Sequence, residues 1–290
     1  MKDRNLGIIA VLISAIIFGC MGLMTSVIYA EGGNPLSATF YRFVLALPLL
    51  YFLVKRKGVD IKVNKSELKK IVLLSVFGYC GTALLLYTSF SFLATGTATS
   101  IHFVYPVLVI LAEIIFFKVK PTLIKIVSVV LCVVGILLFY NGDSQINMIG
   151  LIIAFTSGIT YTFYIIYLSN SSLREMNTIK LTFYLCAVSA VFLLVICLVT
   201  NSLVINISIK GWIVCLLLSL SVSFGAVCLF QHGLKIIGSQ SASILSTFEP
   251  ITSIIIGIFI FNDPVNYKIV LGFIFIVTAS ILIAVYDRQS

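Results

Sequence analysis

Ten apolar runs, each close to the ~20 residues that carry a helix across a bilayer, occupy most of this 290-residue chain. Charged residues or Gly, Pro and Asn separate them, and they fall at about 7–29, 35–54, 70–92, 97–117, 121–140, 148–168, 178–200, 211–234, 239–261 and 267–286. A soluble core cannot hide that much apolar surface. Hydrophobic residues make up 60% of the chain and charged ones 10%, against roughly 45–50% and 25% in a globular domain. Runs of this length satisfy their backbone groups internally as helices, not as barrel strands. The expected fold class is therefore an all-α membrane protein with ten transmembrane helices. The first run is too long for a signal peptide, and Ile28-Tyr29-Ala30-Glu31 offers no small-residue cleavage site, so it is expected to stay in the chain.

The net charge of +9 reads as orientation once the cations are placed. With the N-terminus inside, the inner segments hold Lys2, Arg4, Lys55, Arg56, Lys57, Lys62, Lys65, Lys69, Lys70, Lys118, Lys120, Lys125, Arg174, Lys180, Lys235 and Arg288. The outer segments hold only Lys210 and Lys268, and Arg42 lies within a span. This asymmetry predicts N-in and C-in and leaves no role for nucleic acid. The basic segment from Lys55 to Lys69 is expected to meet anionic lipid headgroups, and Asn64 with Glu67 forms a capping-box pattern that starts the third helix. Trp212 reads as an interfacial anchor. The seven cysteines stand singly in apolar runs and are expected to be packing residues, with no disulfide and no metal.

The chain repeats itself weakly. An offset of 143 sets Gly7 on Gly150, Ser14 on Ser157 and Phe18 on Tyr161; an offset of 144 sets Gly81 on Gly225, Ala98 on Ala242, Pro106 on Pro250 and Phe117 on Phe261. The matches keep their order across five runs, which divides the chain into 1–144 and 145–290. Five is odd, so the second half enters the membrane upside down. Inverted repeats of this kind build alternating access around a midplane site.

Phe40-Tyr41-Arg42-Phe43 with Ala46, the stretch Gly96-Thr97-Ala98-Thr99-Ser100-Ile101-His102-Phe103-Val104-Tyr105-Pro106, Phe248-Glu249-Pro250, and Asn262-Asp263-Pro264 with Gly272 are similar to the signatures of EamA-type transporters of the drug/metabolite transporter superfamily. The resemblance covers essentially the whole chain. It implies two inverted five-helix halves, a central cavity among helices 1–4 and 6–9, peripheral helices 5 and 10, and transport of small metabolites, often amino acid export. The chain departs from the family where Phe18 precedes Gly19 in place of a frequent Trp. It also has Lys118-Val119-Lys120 and Asn262-Asp263 where Gly-Glu is usual. Subfamily and substrate therefore stay open.

An ionisable side chain at the bilayer centre costs roughly 2.5–3.5 kcal/mol on insertion scales, so each needs a reason. Glu249 lies about 15 Å along its helix from Ser239 at 1.5 Å per residue, next to Pro250, with Ser246 close by. It is expected to bind a substrate amine or to carry a proton. Tyr105 is its counterpart in the repeat, and an aromatic face suits a cation. Ser14 with Phe18, and Ser157 with Tyr161 and Tyr164, share single helix faces and are expected to line the same space. Arg42 is expected to act in gating or structure, and His102 in proton coupling or gating. Glu113 is expected to reach toward Lys118 or Lys120, and His232 sits beside Gln231.

No cofactor or metal is expected and no catalytic residue is assigned, because His-Glu-x-x-His, Gly-x-Ser-x-Gly, paired intramembrane aspartates and a P-loop are all missing. The expected partners are a small-molecule substrate and the lipid bilayer, in a monomer or homodimer in a bacterial cytoplasmic membrane. Three functions compete. One is a secondary or facilitative transporter, with efflux of an amino acid or amine. The second is an importer of a cationic or quaternary ammonium compound, and the third a structural or sensor membrane protein.

Overall fold

The structure is a computed structural model that describes residues 2–118, 122–139, 147–246, 248–262 and 266–286. Lys120, Asp263, Pro264, Arg288 and the side chain of Glu113 lie outside the described residues. Among the described residues the chain is helical, without a strand. Seven helical stretches are long and apolar enough to cross a membrane: Arg4–Ala30, Pro35–Arg56, Lys65–Ser89, Thr95–Phe116, Met148–Ser169, Thr178–Val199 and Ile209–Ile237. Three shorter apolar helices, Ile126–Leu138, Phe248–Phe261 and Tyr267–Ala279, fall in the fifth, ninth and tenth runs.

The first half comprises α1 (Lys2–Gly19), α2 (Met21–Ala30), α3 (Pro35–Val44), α4 (Leu47–Arg56), α5 (Lys65–Leu73), a π-helical segment at Leu74–Cys80, α6 (Gly81–Ser89), α7 (Thr95–His102), α8 (Tyr105–Phe117) and α9 (Leu123–Phe139). The second comprises α10 (Met148–Ser169), α11 (Thr178–Val199), α12 (Ile209–Leu218), a second π segment at Ser219–Ala226, α13 (Val227–Leu245), α14 (Phe248–Phe261) and α15 (Tyr267–Tyr286). The Asn64 capping box forms as its pattern predicts: Asn64 Oδ1 accepts from the Glu67 N–H (2.8 Å), and Glu67 Oε2 accepts from the Asn64 N–H (2.9 Å).

Proline explains three interruptions. A helical proline has no N–H and its ring clashes with the carbonyl four residues earlier. Ahead of Pro48, Pro106 and Pro250 the helices stop at Val44, His102 and Leu245. The sequence punctuation at Gly238-Ser239 predicts that the eighth and ninth runs part near 235–238. In the structure helical backbone continues to Leu245, because glycine costs a helix only about 1 kcal/mol while proline costs about 3. The chain still doubles back in this stretch. Gly7 of α1 packs against Ile236 and Ile237, while Gly19, at the other end of α1, packs against Thr252 and the Glu249 carbonyl.

The duplication reappears as paired contacts. Gly7 against Ile236 and Ile237 is matched by Gly150 against Phe92 and Leu93. Gly19 at the Glu249 carbonyl is matched by Thr162, whose hydroxyl lies 3.4 Å from the Tyr105 carbonyl. Left-handed residues close α4 at Gly58 (φ +63°) and α11 at Asn201 (φ +51°). The N–H that follows each returns to a carbonyl five residues back, Val59 to Val54 (3.1 Å) and Ser202 to Cys197 (2.9 Å). Each half lends its first long helix to the other: α1 packs on α13 and α14, and α10 on α6, α7 and α8. α9 and α15 pack on each other, with Gly135 at the Gly272 carbonyl. Small residues let these backbones approach closely, the packing mode that replaces hydrophobic burial in lipid. The seven cysteines are unpaired, five of them buried.

Candidate functional site

A cavity lies between the halves, and among the described residues none of its lining comes from α9 or α15. The first half contributes Phe18, Met21, Arg42, Tyr79, Thr82, Ala83, Leu86 and His102; the second contributes Tyr161, Tyr164, Val227, Phe230, Gln231 and Glu249. Two of the three charged residues foreseen inside spans, Arg42 and Glu249, therefore share one space. The helix interruptions help to place them. Glu249 stands in the first turn of α14, where the break ahead of Pro250 starts a new helix, and its N–H donates to the Ser246 carbonyl at 2.9 Å.

Arg42 is 4% exposed and is held by neutral groups. Its Nε donates to Ser223 Oγ (3.0 Å) and its Nη1 to Tyr87 Oη (3.2 Å) and Met21 Sδ (3.5 Å). Its guanidinium carbon lies 5.4–5.9 Å from the ring centroids of Phe43, Tyr79 and Tyr87. Ser219 Oγ donates to the Arg42 carbonyl at 2.8 Å, so the second π segment grips this residue by main chain and side chain. π segments inside helices are frequent at functional sites. A buried cation this well solvated by hydroxyls and rings is an integral part of the wall.

Rings form the opposite chemistry. Tyr161 stacks on Tyr164 (5.6 Å, 8°), meets Tyr105 edge-on (4.6 Å, 84°) and lies 5.4 Å from His102. Tyr164 continues to Tyr79 at 6.0 Å. The electron-rich faces of such rings favour a cationic group.

The residues singled out in the sequence divide into two sets. Phe18, Arg42, His102, Tyr161, Tyr164 and Glu249 line the cavity. Tyr105, Ser157 and Ser246 form a layer behind it: Tyr105 backs Tyr161 and is within hydrogen-bonding reach of Ser246, and Ser246 donates to the Ala242 carbonyl at 2.9 Å. Ser157 lies 2.9 Å from His102 Nδ1 and donates to the Ala154 carbonyl at 2.6 Å. Its one hydroxyl proton is thus spent, so His102 Nδ1–H is the donor and Nε2 is left as the acceptor. A serine bound in this sense is not activated for nucleophilic attack. Ser14 donates to the Ala226 carbonyl at 2.8 Å and fixes the end of the second π segment, away from the lining. His232 is exposed.

Tyr79, Thr82, Phe230 and Gln231 escaped the sequence reading although they line the cavity. Tyr79, Thr82 and Leu86 follow helical spacing, and Gln231 is the counterpart of Tyr87 at the offset of 144. Gln231 Nε2 donates to Tyr164 Oη at 3.5 Å, and the hydroxyls of Thr82 and Thr160 lie 2.9 Å apart. Among the described residues no group of three or more His, Cys, Asp or Glu could hold a metal ion.

Comparison with known proteins agrees with this architecture. The EamA-like transporter family matches residues 5–141 and again residues 148–285. A Synechocystis protein described as an uncharacterized transporter is 24% identical over 315 residues, covering 98% of this chain and 94% of the relative. A protein of known crystal structure superposes with a TM-score of 0.70 at 12% identity, covering 99% of each chain, a likeness of fold.

Proposed function

Since the chain belongs to the EamA-like transporter family and is a multi-pass membrane protein, we propose that it moves a small polar metabolite, an amino acid or an amine, out of a bacterial cell by alternating access. The observation that carries this reading is the cavity between the halves, walled by rings and holding both Glu249 and Arg42. Transport is secondary active or facilitative. The seven long spans and three shorter apolar helices make ten crossings, with the basic end of the bundle in the cytoplasm. Halves of five crossings each are then inverted relative to one another, and rocking them exposes the cavity to either side. Glu249 receives the substrate ammonium or carries the coupled proton. Phe18, Tyr161 and Tyr164 flank the substrate, with Tyr105, Ser157 and Ser246 positioning them. Arg42 fixes the second π segment and the gate region near it, and His102 Nε2 offers a second proton acceptor. The ring-lined wall favours a second reading, import of a quaternary ammonium compound, because such a cation binds ring faces without needing a hydrogen bond.

The test is a thermal-shift screen of the purified protein against amino acids, amines and quaternary ammonium compounds. Flux of each hit into proteoliposomes then follows, with and without a pH gradient. Stabilisation by an amino acid or amine and its flux, both lost in Glu249→Gln, support the first reading. Stabilisation by quaternary ammonium compounds alone selects the second, and an empty panel sinks both.

A further inference from the structure

Beyond the cavity, hydrogen bonds tie the two halves together at both ends of the bundle. At the Glu31 end, residues 201–208 lie over the start of α3. Tyr41 Oη donates to the Val204 carbonyl (2.8 Å), and Asn34 Nδ2 donates to the Ser202 carbonyl (2.7 Å). Ser37 Oγ donates to the Ser202 carbonyl (3.1 Å) and accepts from the Val204 N–H (2.8 Å). Glu31 adds an ion pair to Lys210 (2.8 Å) and accepts from Ser208 Oγ (2.6 Å). At the basic end, residues 57–64 lie over the start of α11. Tyr184 Oη donates to the Ile61 carbonyl (2.6 Å), and Lys180 Nζ donates to the Lys62 carbonyl (2.6 Å).

These two clasps are the same device. Tyr41 and Tyr184 stand 143 residues apart, as do their acceptors Ile61 and Val204, the donors Ser37 and Lys180, and the caps Asn34 and Asn177. In each, a tyrosine nearly two turns inside a helix reaches a carbonyl in a loop of the other half. Only the trimming differs: Glu31 with its ion pair at one end faces the counterpart position of Arg174 at the other.

We infer that the Tyr41 and Tyr184 clasps are the outer and inner gates of one cycle, made equivalent by the duplication and opened in turn; this rests on the transporter reading above. Each clasp joins the two halves at one end, so a rocking motion that parts the halves there presses them together at the other. The bonds suit that task. They lie near water, where a hydrogen bond is worth about 1 kcal/mol net and can be broken and remade cheaply. Both are closed in this structure, and neither tyrosine is itself among the residues that line the cavity.

Hydrogen–deuterium exchange on the full chain in nanodiscs, without substrate, tests the pair. Tyr41→Phe is expected to raise exchange in 201–208 about fivefold, the factor equivalent to one net hydrogen bond of about 1 kcal/mol, and to lower it in 57–64. Tyr184→Phe should do the reverse, and the double variant should return both segments toward wild type. Ser37→Ala and Lys180→Ala form a second pair should either tyrosine variant fail to fold. Loosening confined to the mutated end, or no change at either, overturns the inference and leaves the clasps as static fasteners. Because the readout needs no substrate, this failure is distinct from a failed flux assay, which bears on the transporter reading alone.

Discussion

The two halves bring matching backbones and unlike chemistry to the cavity and the layer around it. Where the first half has Arg42, Tyr79, Tyr87, His102 and Tyr105, the second has Leu185 at the offset of 143 and then Ser223, Gln231, Ser246 and Glu249 at the offset of 144. The first half supplies the guanidinium and large rings, the second a carboxyl and small hydroxyls. Partners then form across the divide: Arg42 Nε donates to Ser223 Oγ (3.0 Å), a hydroxyl at the position equivalent to Tyr79. Duplication therefore supplied a scaffold with matching backbone contacts in both halves, and divergence at facing positions supplied a polar interior. A fully symmetric lining would carry either two cations or two anions in one low-dielectric space, which burial penalises heavily.

The strongest way to break this comparison is at Glu249, the carboxyl that lines the cavity. Glu249→Gln is expected to lower flux in proteoliposomes by about 10- to 100-fold, the equivalent of a charge-assisted hydrogen bond worth about 1.5–3 kcal/mol, while retention of thermal stability shows that the fold survives. Wild-type flux at every pH would remove Glu249 from the mechanism. Arg42→Met comes next. It strands Ser223 and Tyr87 and should cost about 2–3 kcal/mol of stability, whereas Leu185→Met at the counterpart position, a swap that nearly conserves volume, should cost about 1 kcal/mol or less. Equal losses in thermal unfolding would mean that Arg42 has no special structural role.

Ser157 and Ser14 sharpen the comparison further, since they occupy equivalent positions with different partners. Each alanine substitution should cost about 1 kcal/mol for one hydrogen bond. Only Ser157→Ala should shift the pH profile of flux, because only Ser157 orients a histidine. A shift in Ser14→Ala as well would dissolve the distinction. The smallest effect is expected at Glu31, whose carboxyl the Lys210 ammonium and Ser208 hydroxyl hold below its ordinary value of 4.5. A lowered folded value means that the contribution is complete above pH 4.5 and is lost as pH falls through the folded value. The melting temperature should therefore stay flat across neutral pH and drop below 4.5, and Glu31→Gln should remove part of that drop. An identical acid limb in the variant would discard the Glu31 pair as its source.

Legibility followed the kind of signal. Long apolar runs, the Asn64–Glu67 cap and the order of repeated residues are local or periodic features, and the helical stretches fall where those features placed them. Glu249, Arg42, His102, Tyr161, Tyr164 and Phe18 stood out as polar or aromatic exceptions on apolar faces, and all six line the cavity. Tyr79, Phe230 and Gln231 did not stand out, since rings and amides are common in helices and only packing against the other half gives them a task. The boundary between the eighth and ninth runs, read at Gly238-Ser239, falls inside helical backbone that continues to Leu245, because the sequence weighs a visible glycine equally with a proline whose clash lies four residues upstream.

Sequence alone determined that this chain lives in lipid and is built twice, because hydrophobic run length and internal repetition are properties of the chain itself. The tertiary structure decided which polar groups meet. Ser14 and Ser157 look alike in sequence, yet one closes a helix segment and the other sets a histidine. Tyr41 and Tyr184 look like packing residues, yet both reach across to carbonyls of the opposite half. Such pairings depend on which helix of one half lies against which of the other, a long-range choice that no local stretch of residues contains.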